Sequence, residues 1–388
     1  MEDKKSITRR DFVKTSTAVA LAGAIGKFEK VSAQDKQIPE KPKTNLEDAL
    51  KYPKTEYSIP GKYPGRVVEI QNSKAIQDGK FDYEQISFMV DRALMFLTEK
   101  ADNKEAWKTF FSPTDRIGIK VNPVAGKLLS TSHEVVRTII AELVNIGVPY
   151  ENIIIWDRRE FQLHEAGFTS DKFPAIKIMG TEKKDSKGSF YNESGILYSE
   201  EMIDKDWYYR ADVEGTYDEE SMPYMVNGGK YSYFTKIVTQ HVDKIINVPI
   251  LKNAGASITG CLKNIAYGSI TNTARLHKPL WAETCAEVPC FPPLRDKVVL
   301  NIVDAIRGCY DGGPGAKPEF ITDFNTILAG TDPVALDRIG FDIILNKRRE
   351  KEIQKDIVPS SVNFLLLAEK NGLGIADIRK IEIKKFVF

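Results

Sequence analysis

The chain has 388 residues, with 55 Lys and Arg against 54 Asp and Glu and a formal charge of +1. That length gives one large domain or two ordinary ones and a substantial core. The even balance of charge implies no nucleic-acid partner, and beyond the N-terminal stretch no segment is long and apolar enough for a membrane.

The N-terminal stretch reads as an address and not as fold. Thr8-Arg9-Arg10-Asp11-Phe12-Val13-Lys14 is followed by apolar Ala18 to Ile25 and by small residues at Val31-Ser32-Ala33. Paired arginines, a Phe two residues later, an apolar run and a cleavage site resemble the twin-arginine export signal. The apolar part is too short to span a bilayer. Residues 1–33 are therefore expected to be a signal peptide read by the twin-arginine export machinery. The mature protein is expected to be periplasmic or otherwise exported, with no stable membrane span after cleavage. That route carries folded proteins, often ones already loaded with a cofactor.

Residues 34–63 are rich in Lys, Pro and Glu and read as an exposed leader with one short helix near Leu46–Leu50. Residues 64–388 read as the main domain. Gly65 to Ile70 is a first strand. Asp82–Thr98 carries Ile86, Val90, Ala93, Leu94 and Leu97 at helical spacing. Arg116–Val121 is a strand, Thr131 to Glu134 starts a helix that Gly147 stops, and Asn152–Trp156 is the next strand. Strand, helix, strand with short joins is a βαβ unit, which implies a parallel sheet and a right-handed crossover. Residues 158–235, rich in Tyr, Asp, Glu, Lys and Gly, read as an irregular insertion over the sheet. Lys297–Asp304 and Asn325–Ala329 are further strands, and Thr331-Asp332-Pro333 opens a helix with Asp at the N-cap and Pro in the first turn. Val362–Lys370 is a helix and Ile381–Lys385 a last strand. The expected fold is α/β, doubly wound, with a mainly parallel sheet flanked by helices.

The densest chemistry lies in Asp243–Pro279. Lys244 to Val248 is a short buried strand that breaks at Pro249. A run of polar groups separated by Ala and Gly follows it. In open α/β sheets ligands bind beyond the carboxyl ends of strands. Lys120, Lys252 and Lys263 each follow or end near a predicted strand. Lysines converging on one crevice repel unless an anion is present. Asn247, Thr259 and Asn264 could orient a ligand or hold the loops. Asp157 and Asp304 end predicted strands, where carboxylates serve as bases or metal ligands. His277 follows Arg275 in a loop and is the stronger histidine candidate, ahead of His133 at a helix start. Gly313 and Gly315 stand in Gly312-Gly313-Pro314-Gly315, where a backbone can approach a phosphate or carboxylate closely or simply turn.

Four separated motifs carry a family resemblance. Ile246-Asn247-Val248-Pro249 through Lys252, with Thr259-Gly260-Cys261-Leu262-Lys263-Asn264, resembles the core signature of the domain of unknown function 362 family. Lys120-Val121-Asn122 stands where that family has Lys-Pro-Asn, and Ser132-His133-Glu134-Val135-Val136 resembles its Thr-His-Pro-Glu-Val-Val. Asp157, His277, the Gly312–Gly315 run and Ala329 to Asp337 match as well. The missing prolines are departures in the loop after Lys120. The resemblance implies an α/β fold and a site that includes Asn122, but no particular reaction.

Cys261, Cys285, Cys290 and Cys309 cluster late in the chain. Some members of the family carry a ferredoxin-like segment for iron–sulfur clusters, and this chain lacks cysteines at that spacing. Cys285-x4-Cys290 could hold a metal with Cys261 or His277, form a disulfide, or supply buried thiols. The leading expectation is a small anionic ligand at the carboxyl edge of the sheet. Lys120, Asn122, Lys252, Thr259, Lys263, Asn264, Gly313 and Gly315 would bind it. Asp157, His277 or Asp304 would handle a proton or a divalent metal, as in an enzyme. The alternatives are an iron–sulfur or other metal-dependent redox protein using Cys261, Cys285, Cys290 and Cys309, and a cofactor-free interaction protein.

Overall fold

The structure, a computed structural model, describes residues 41–388 apart from 215–228, 256 and 354–358. The twin-arginine stretch lies outside the described residues. Ten strands build one sheet: β1 (Arg66–Gln71), β2 (Ile117–Lys120), β3 (Ile153–Arg159), β4 (Lys177–Glu182), β5 (Lys244–Asn247), β6 (Ile250–Ala254), β7 (Ser257–Thr259), β8 (Val298–Cys309), β9 (Ile321–Gly330) and β10 (Glu382–Val387). Their order is β10-β1-β9-β8-β5-β2-β3-β4, with β6 between β7 and β8. β9 runs antiparallel to β1 and β8, and β7 to β6; every other pair is parallel. The α/β architecture is the one the sequence predicts.

Alternation along the strands builds two cores, one on each face. Ile117, Ile119, Ile153, Ile155 and Ile246 pack with helices α1 (Tyr83–Thr98) and α2 (His133–Asn145). Ile154, Trp156 and Ile245 pack with α3 (Cys261–Ser269), α4 (Trp281–Glu287), α5 (Pro333–Glu350) and α6 (Asn363–Lys370). Lys120 is one step from Ile119, so its side chain leaves β2 toward α3. The helix starts follow their sequence signals. Asp82 caps α1 by accepting from Gln85 N at 3.1 Å. Asp332 accepts from Val334 N and Ala335 N at the start of α5, and also from Gly65 N and Ile375 N, tying that helix to both ends of the domain.

β5 and β6 continue one line of chain along β8. Asn247 pairs with Asn301; after Val248-Pro249, Ile250 pairs with Asp304 and Lys252 with Cys309. Proline cannot donate to the ladder, so the break falls there. From β2 the chain goes to β3 on one side, whereas β5 leads toward β8 on the other. The carboxyl ends of β2 and β5 therefore flank a switch-point crevice.

Two expectations change. Residues 41–63, part of the stretch read as an exposed leader, are largely exposed over 51–57 but anchored at points: Ile59 is buried and its N donates to Arg295 O, and Asn45 N donates to Arg210 O. The helix Leu46–Leu50 is present as expected. The region read as an insertion supplies β4 to the central sheet, together with a separate ribbon of Ile203–Arg210 and Tyr231–Thr235. β8 runs well past Asp304, so that carboxylate sits inside the strand and not at its end. No helix among the described residues is long and apolar enough to cross a membrane.

Candidate functional site

A pocket of about 160 Å³ opens at the carboxyl ends of β2 and β3. It is lined by Lys120, Asn122, Asp157, Lys252, Thr259, Lys263, Asn264 and His277, all predicted from the sequence. Val124, Arg158, Arg159, Gln162, Tyr267, Gly268 and Pro314 complete the lining. Its size suits a metabolite, being well below the roughly 300–1,000 Å³ of drug-sized clefts.

The three lysines differ in how their donors are used. Lys120 Nζ donates to Val121 O at 2.7 Å, Asp157 Oδ1 at 2.5 Å and Asn264 Oδ1 at 3.1 Å. All three N–H groups are satisfied and the charge is paired. Burial pulls its pKa down while Asp157 opposes that. Asn264 also accepts from Asn122 Nδ2 and donates to Asn247 Oδ1, and Asn247 donates to Asn301 Oδ1 and Cys261 O. This amide chain crosses the core from β2 to β8 and fixes α3 against the strand ends.

Lys252 Nζ has a single acceptor, Val124 O at 2.6 Å. Lys263 Nζ has none among the described residues; it lies 6.0 Å from the centre of the Tyr267 ring. Neither has a carboxylate partner within salt-bridge distance among the described residues. Burying an ammonium without a counter-ion is costly, and the group responds by losing affinity for its proton. Burial, with the neighbouring Lys263 cation, pushes Lys252 down to about 7. Burial likewise lowers Lys263.

Helix α3 delivers Lys263 and Asn264 with Tyr267 and Gly268 one turn later, so these four share a face. Its N-terminus is already occupied: Asp337 on α5 accepts from Cys261 N at 2.5 Å and Leu262 N at 3.0 Å. Gly260 is needed there, since a Cβ would lie 2.1 Å from Asp337 Oδ1. The pocket thus receives side chains from α3 and not the free end of its dipole.

At Gly268 a Cβ would lie 2.2 Å from Lys120 Cε. Gly268→Ala is expected to displace Lys120 and lower stability by ~1–3 kcal/mol, the usual cost of overpacking. Urea unfolding checks this; an unchanged midpoint would mean that α3 does not press on Lys120.

At the rim, His277 Nδ1 lies 3.0 Å from Thr273 O, so Nδ1 carries the proton and Nε2 keeps a lone pair in the neutral ring. Its ring tilts over Tyr267 at 4.5 Å between centroids. Loss of solvent on that side and the Lys263 cation bring its pKa down to about 4. Arg158 and Arg159 both reach Glu182 Oε2, at 3.4 and 3.0 Å. Glu182 is buried, which raises its pKa against the two guanidinium groups. Arg158 Nη1 also donates to Thr273 Oγ1, linking β3 to the histidine loop. Three buried oxygens of lining residues, Thr259 Oγ1, Asn122 Oδ1 and Tyr267 Oη, have no hydrogen-bond partner among the described residues.

Several predicted residues lie elsewhere. Asp304 is buried on the α2 side and accepts from Ser132 N at 2.7 Å and Ile306 N at 3.1 Å, so it braces the start of α2 away from His277. His133 is beside it and reaches Ala166 O. Gly313 and Gly315 do not line the pocket; Pro314 between them does. Gly313 N donates to Asn253 Oδ1, and a Cβ there would lie 1.7 Å from Asn253 O, whereas a Cβ on Gly315 meets open space. The cysteine metal group, one of the alternatives, is not brought together among the described residues. Cys261, Cys285, Cys290 and Cys309 are buried free thiols, with Cys309 in a different packing cluster from the others. Among the described residues no three of His, Cys, Asp and Glu are placed to hold a metal ion. Arg158, Arg159 and Glu182 escaped the sequence reading because they fall where it saw an insertion. Tyr267 and Gly268 were missed because the stretch that forms α3 read as a polar loop.

A family model described as "Domain of unknown function (DUF362)" matches residues 117–342. The chain belongs to the DUF362 family. The matched residues contain every side chain of the pocket, so the site is built wholly from the DUF362 part of the chain. Among solved structures, a crystal structure of a Thermotoga maritima protein is similar over 71% of this chain and 60% of that chain, with 7% identity and a TM-score of 0.38. The comparison with curated proteins finds no match.

Proposed function

We propose that this DUF362 protein binds a small anionic ligand in the pocket at the carboxyl ends of β2 and β3. The observation that carries the reading is the pair Lys252 and Lys263. Both are buried in one pocket, and neither has a carboxylate partner among the described residues. An anion supplies the missing counter-charge and removes the repulsion between them. Thr259 Oγ1 offers a hydroxyl donor and Asn122 Oδ1 an acceptor to the same ligand. Lys120 and Asp157 neutralise each other and act as the floor. His277 Nε2 is the group able to take a proton from a bound ligand, in an enzymatic reaction at this site.

A thermal-shift series with inorganic phosphate, sulfate, acetate, succinate and citrate tests the reading, since a ligand that binds the folded state raises its unfolding temperature. At least one of these is expected to stabilise the protein in a saturable way. No shift with any of them at millimolar concentration contradicts the reading.

The pH dependence has a defined sign. Lys252 in the free protein gains its proton as pH falls through about 7. Anion affinity is therefore expected to be highest below pH 7 and to weaken as pH rises above it, by up to about tenfold per unit when binding requires a charged Lys252. Calorimetry in two buffers of different ionisation enthalpy would show proton uptake on binding above pH 7. Proton release would contradict the assignment.

We also propose that the protein is exported by the twin-arginine route, on the strength of Arg9-Arg10 with Phe12, the apolar run and the Ala33 cleavage site. Lys substituted at both Arg9 and Arg10 is expected to leave the uncleaved precursor inside the cell, read by fractionation and immunoblot.

A further inference from the structure

The three buried lysines are chemically unequal, and this inequality assigns one of them a reaction. The inference rests on the reading that the pocket takes an anion. Lys120 spends all three N–H donors on acceptors and is a structural cation. Lys263 ends without an acceptor among the described residues and is the point charge for a ligand carboxylate. Lys252 spends one donor on Val124 O and has no carboxylate partner within salt-bridge distance among the described residues. As a neutral amine it satisfies that carbonyl with one N–H and still presents a lone pair.

We propose that Lys252 is a nucleophile that forms an imine with the carbonyl of a small oxo acid whose carboxylate is held by Lys263.

Four features converge on this assignment. A lysine buried beside a second cation is the arrangement that keeps an amine unprotonated near neutral pH, which is what imine formation needs. Lys252 stands directly across the β6–β7 ladder from Thr259. Cross-strand partners project from the same face, and the unpartnered Thr259 hydroxyl lines the same pocket as Lys252, where it can donate to the carbonyl oxygen under attack. His277 faces the same pocket with Nε2 unprotonated. The pocket is narrow, which favours a short acid over a bulky aldehyde.

The chemistry balances without an oxidant or a cofactor. The Lys252 Nζ lone pair forms the C–N bond while the carbonyl π pair moves to oxygen, which takes a proton from solvent, the one proton the net reaction consumes. Nitrogen loses a proton to His277 Nε2, giving a neutral carbinolamine. His277 returns that proton to the hydroxyl, and the C–O bond breaks as the nitrogen lone pair forms C=N. The products are one water and one protonated imine. The positive C=N then draws electrons from the adjacent C–H or C–C bond, which places the reaction class among imine-assisted proton transfers, aldol cleavages or decarboxylations of oxo acids.

The test is reductive trapping on the full chain. Purified protein is incubated separately with glyoxylate, pyruvate and 2-oxoglutarate in the presence of sodium cyanoborohydride. Intact mass and tryptic mapping then locate any adduct. The expected result is one reduced adduct per chain with at least one acid, seen as lost tryptic cleavage after Lys252. Unfolded protein should show scattered, slow modification. Lys252→Met removes the amine and the buried charge together and should lose the adduct while keeping a folded circular-dichroism spectrum. Should it not fold, Lys263→Met serves instead: Lys252 is intact there, and trapping at it should fall at least tenfold for want of the carboxylate clamp. Absence of an adduct with all three acids, or an adduct centred on Lys263 or spread over surface lysines, overturns the proposal. Stabilisation by phosphate, sulfate, acetate, succinate and citrate, measured on the same preparation, separates the two ideas. No adduct with stabilisation retained overturns the imine alone, and neither signal overturns both.

Discussion

Lys263→Met is expected to abolish anion binding and at the same time leave the protein as stable as the parent or more so. The two effects have one cause. Lys263 Nζ finds no acceptor among the described residues, so the fold gains nothing from its charge and bears the cost of burying it. Replacing such a cation by an apolar side chain of similar length is neutral or stabilising by ~1–4 kcal/mol when the packing is kept. A bound anion loses a desolvated charge partner, which costs on the order of 2–5 kcal/mol and so about 30-fold to several thousand-fold in affinity. Urea unfolding and ligand titration on one preparation read both signs. A large loss of stability would mean that Lys263 serves the fold.

Lys120→Met is expected to do the reverse. Here the charge is fully used: Asp157 Oδ1, Asn264 Oδ1 and Val121 O all accept from one ammonium. Removing it strands Asp157, 6% exposed, and leaves Asn264 Oδ1 with one of its two donors. Breaking a buried pair from one side costs ~3–5 kcal/mol. The variant should unfold at clearly lower urea, and its pocket should bind anions poorly because Asn264 and Gly268 are no longer held. Lys120→Met/Asp157→Leu, which removes both charges, should recover part of the loss. Failure to recover any of it would mean that the pair is not the source of the effect.

Much of this was legible in the residues. The strands announced themselves by apolar runs, and alternation at Ile117, Ile119 and Val121 placed Lys120 on the opposite face from the α2 core. The pocket residues were legible because lysine, asparagine and threonine beyond strand ends have few purely structural reasons to cluster. Helix α3 was not legible. All nine of its residues are buried, so it has no solvent face to impose a 3.6-residue period, and its polar groups read as a loop. β6 was hidden behind Pro249, which looked like the end of the strand but marks only a change of neighbour from β2 and β8 to β7 and β8. Asp304 was misplaced for a related reason: β8 has a break in register near it yet continues to Cys309, so the apolar run ended before the strand did. The cysteines were close in sequence, but β8 carries Cys309 away from the helices that hold the other three.

The DUF362 motifs also separate into two kinds of work once the side chains are in place. Asp332 and Asp337 are caps: one holds the start of α5, the other the start of α3. Gly260, Gly268 and Gly313 clear space for a carboxylate, a lysine and a backbone carbonyl. These position the pocket without entering the chemistry. Lys252, Thr259, Lys263 and His277, with Asn122 Oδ1, are among the groups that face the cavity with capacity to spare.

The measurement that bears most directly on this account is calorimetric titration of the wild type and Lys263→Met with the anion that stabilises the wild type best. The account predicts one site per chain in the wild type and an affinity at least about 30-fold weaker in the variant, with the variant's unfolding midpoint equal or higher. Equal affinity in the two proteins would place the anion somewhere other than between Lys252 and Lys263 and would contradict it.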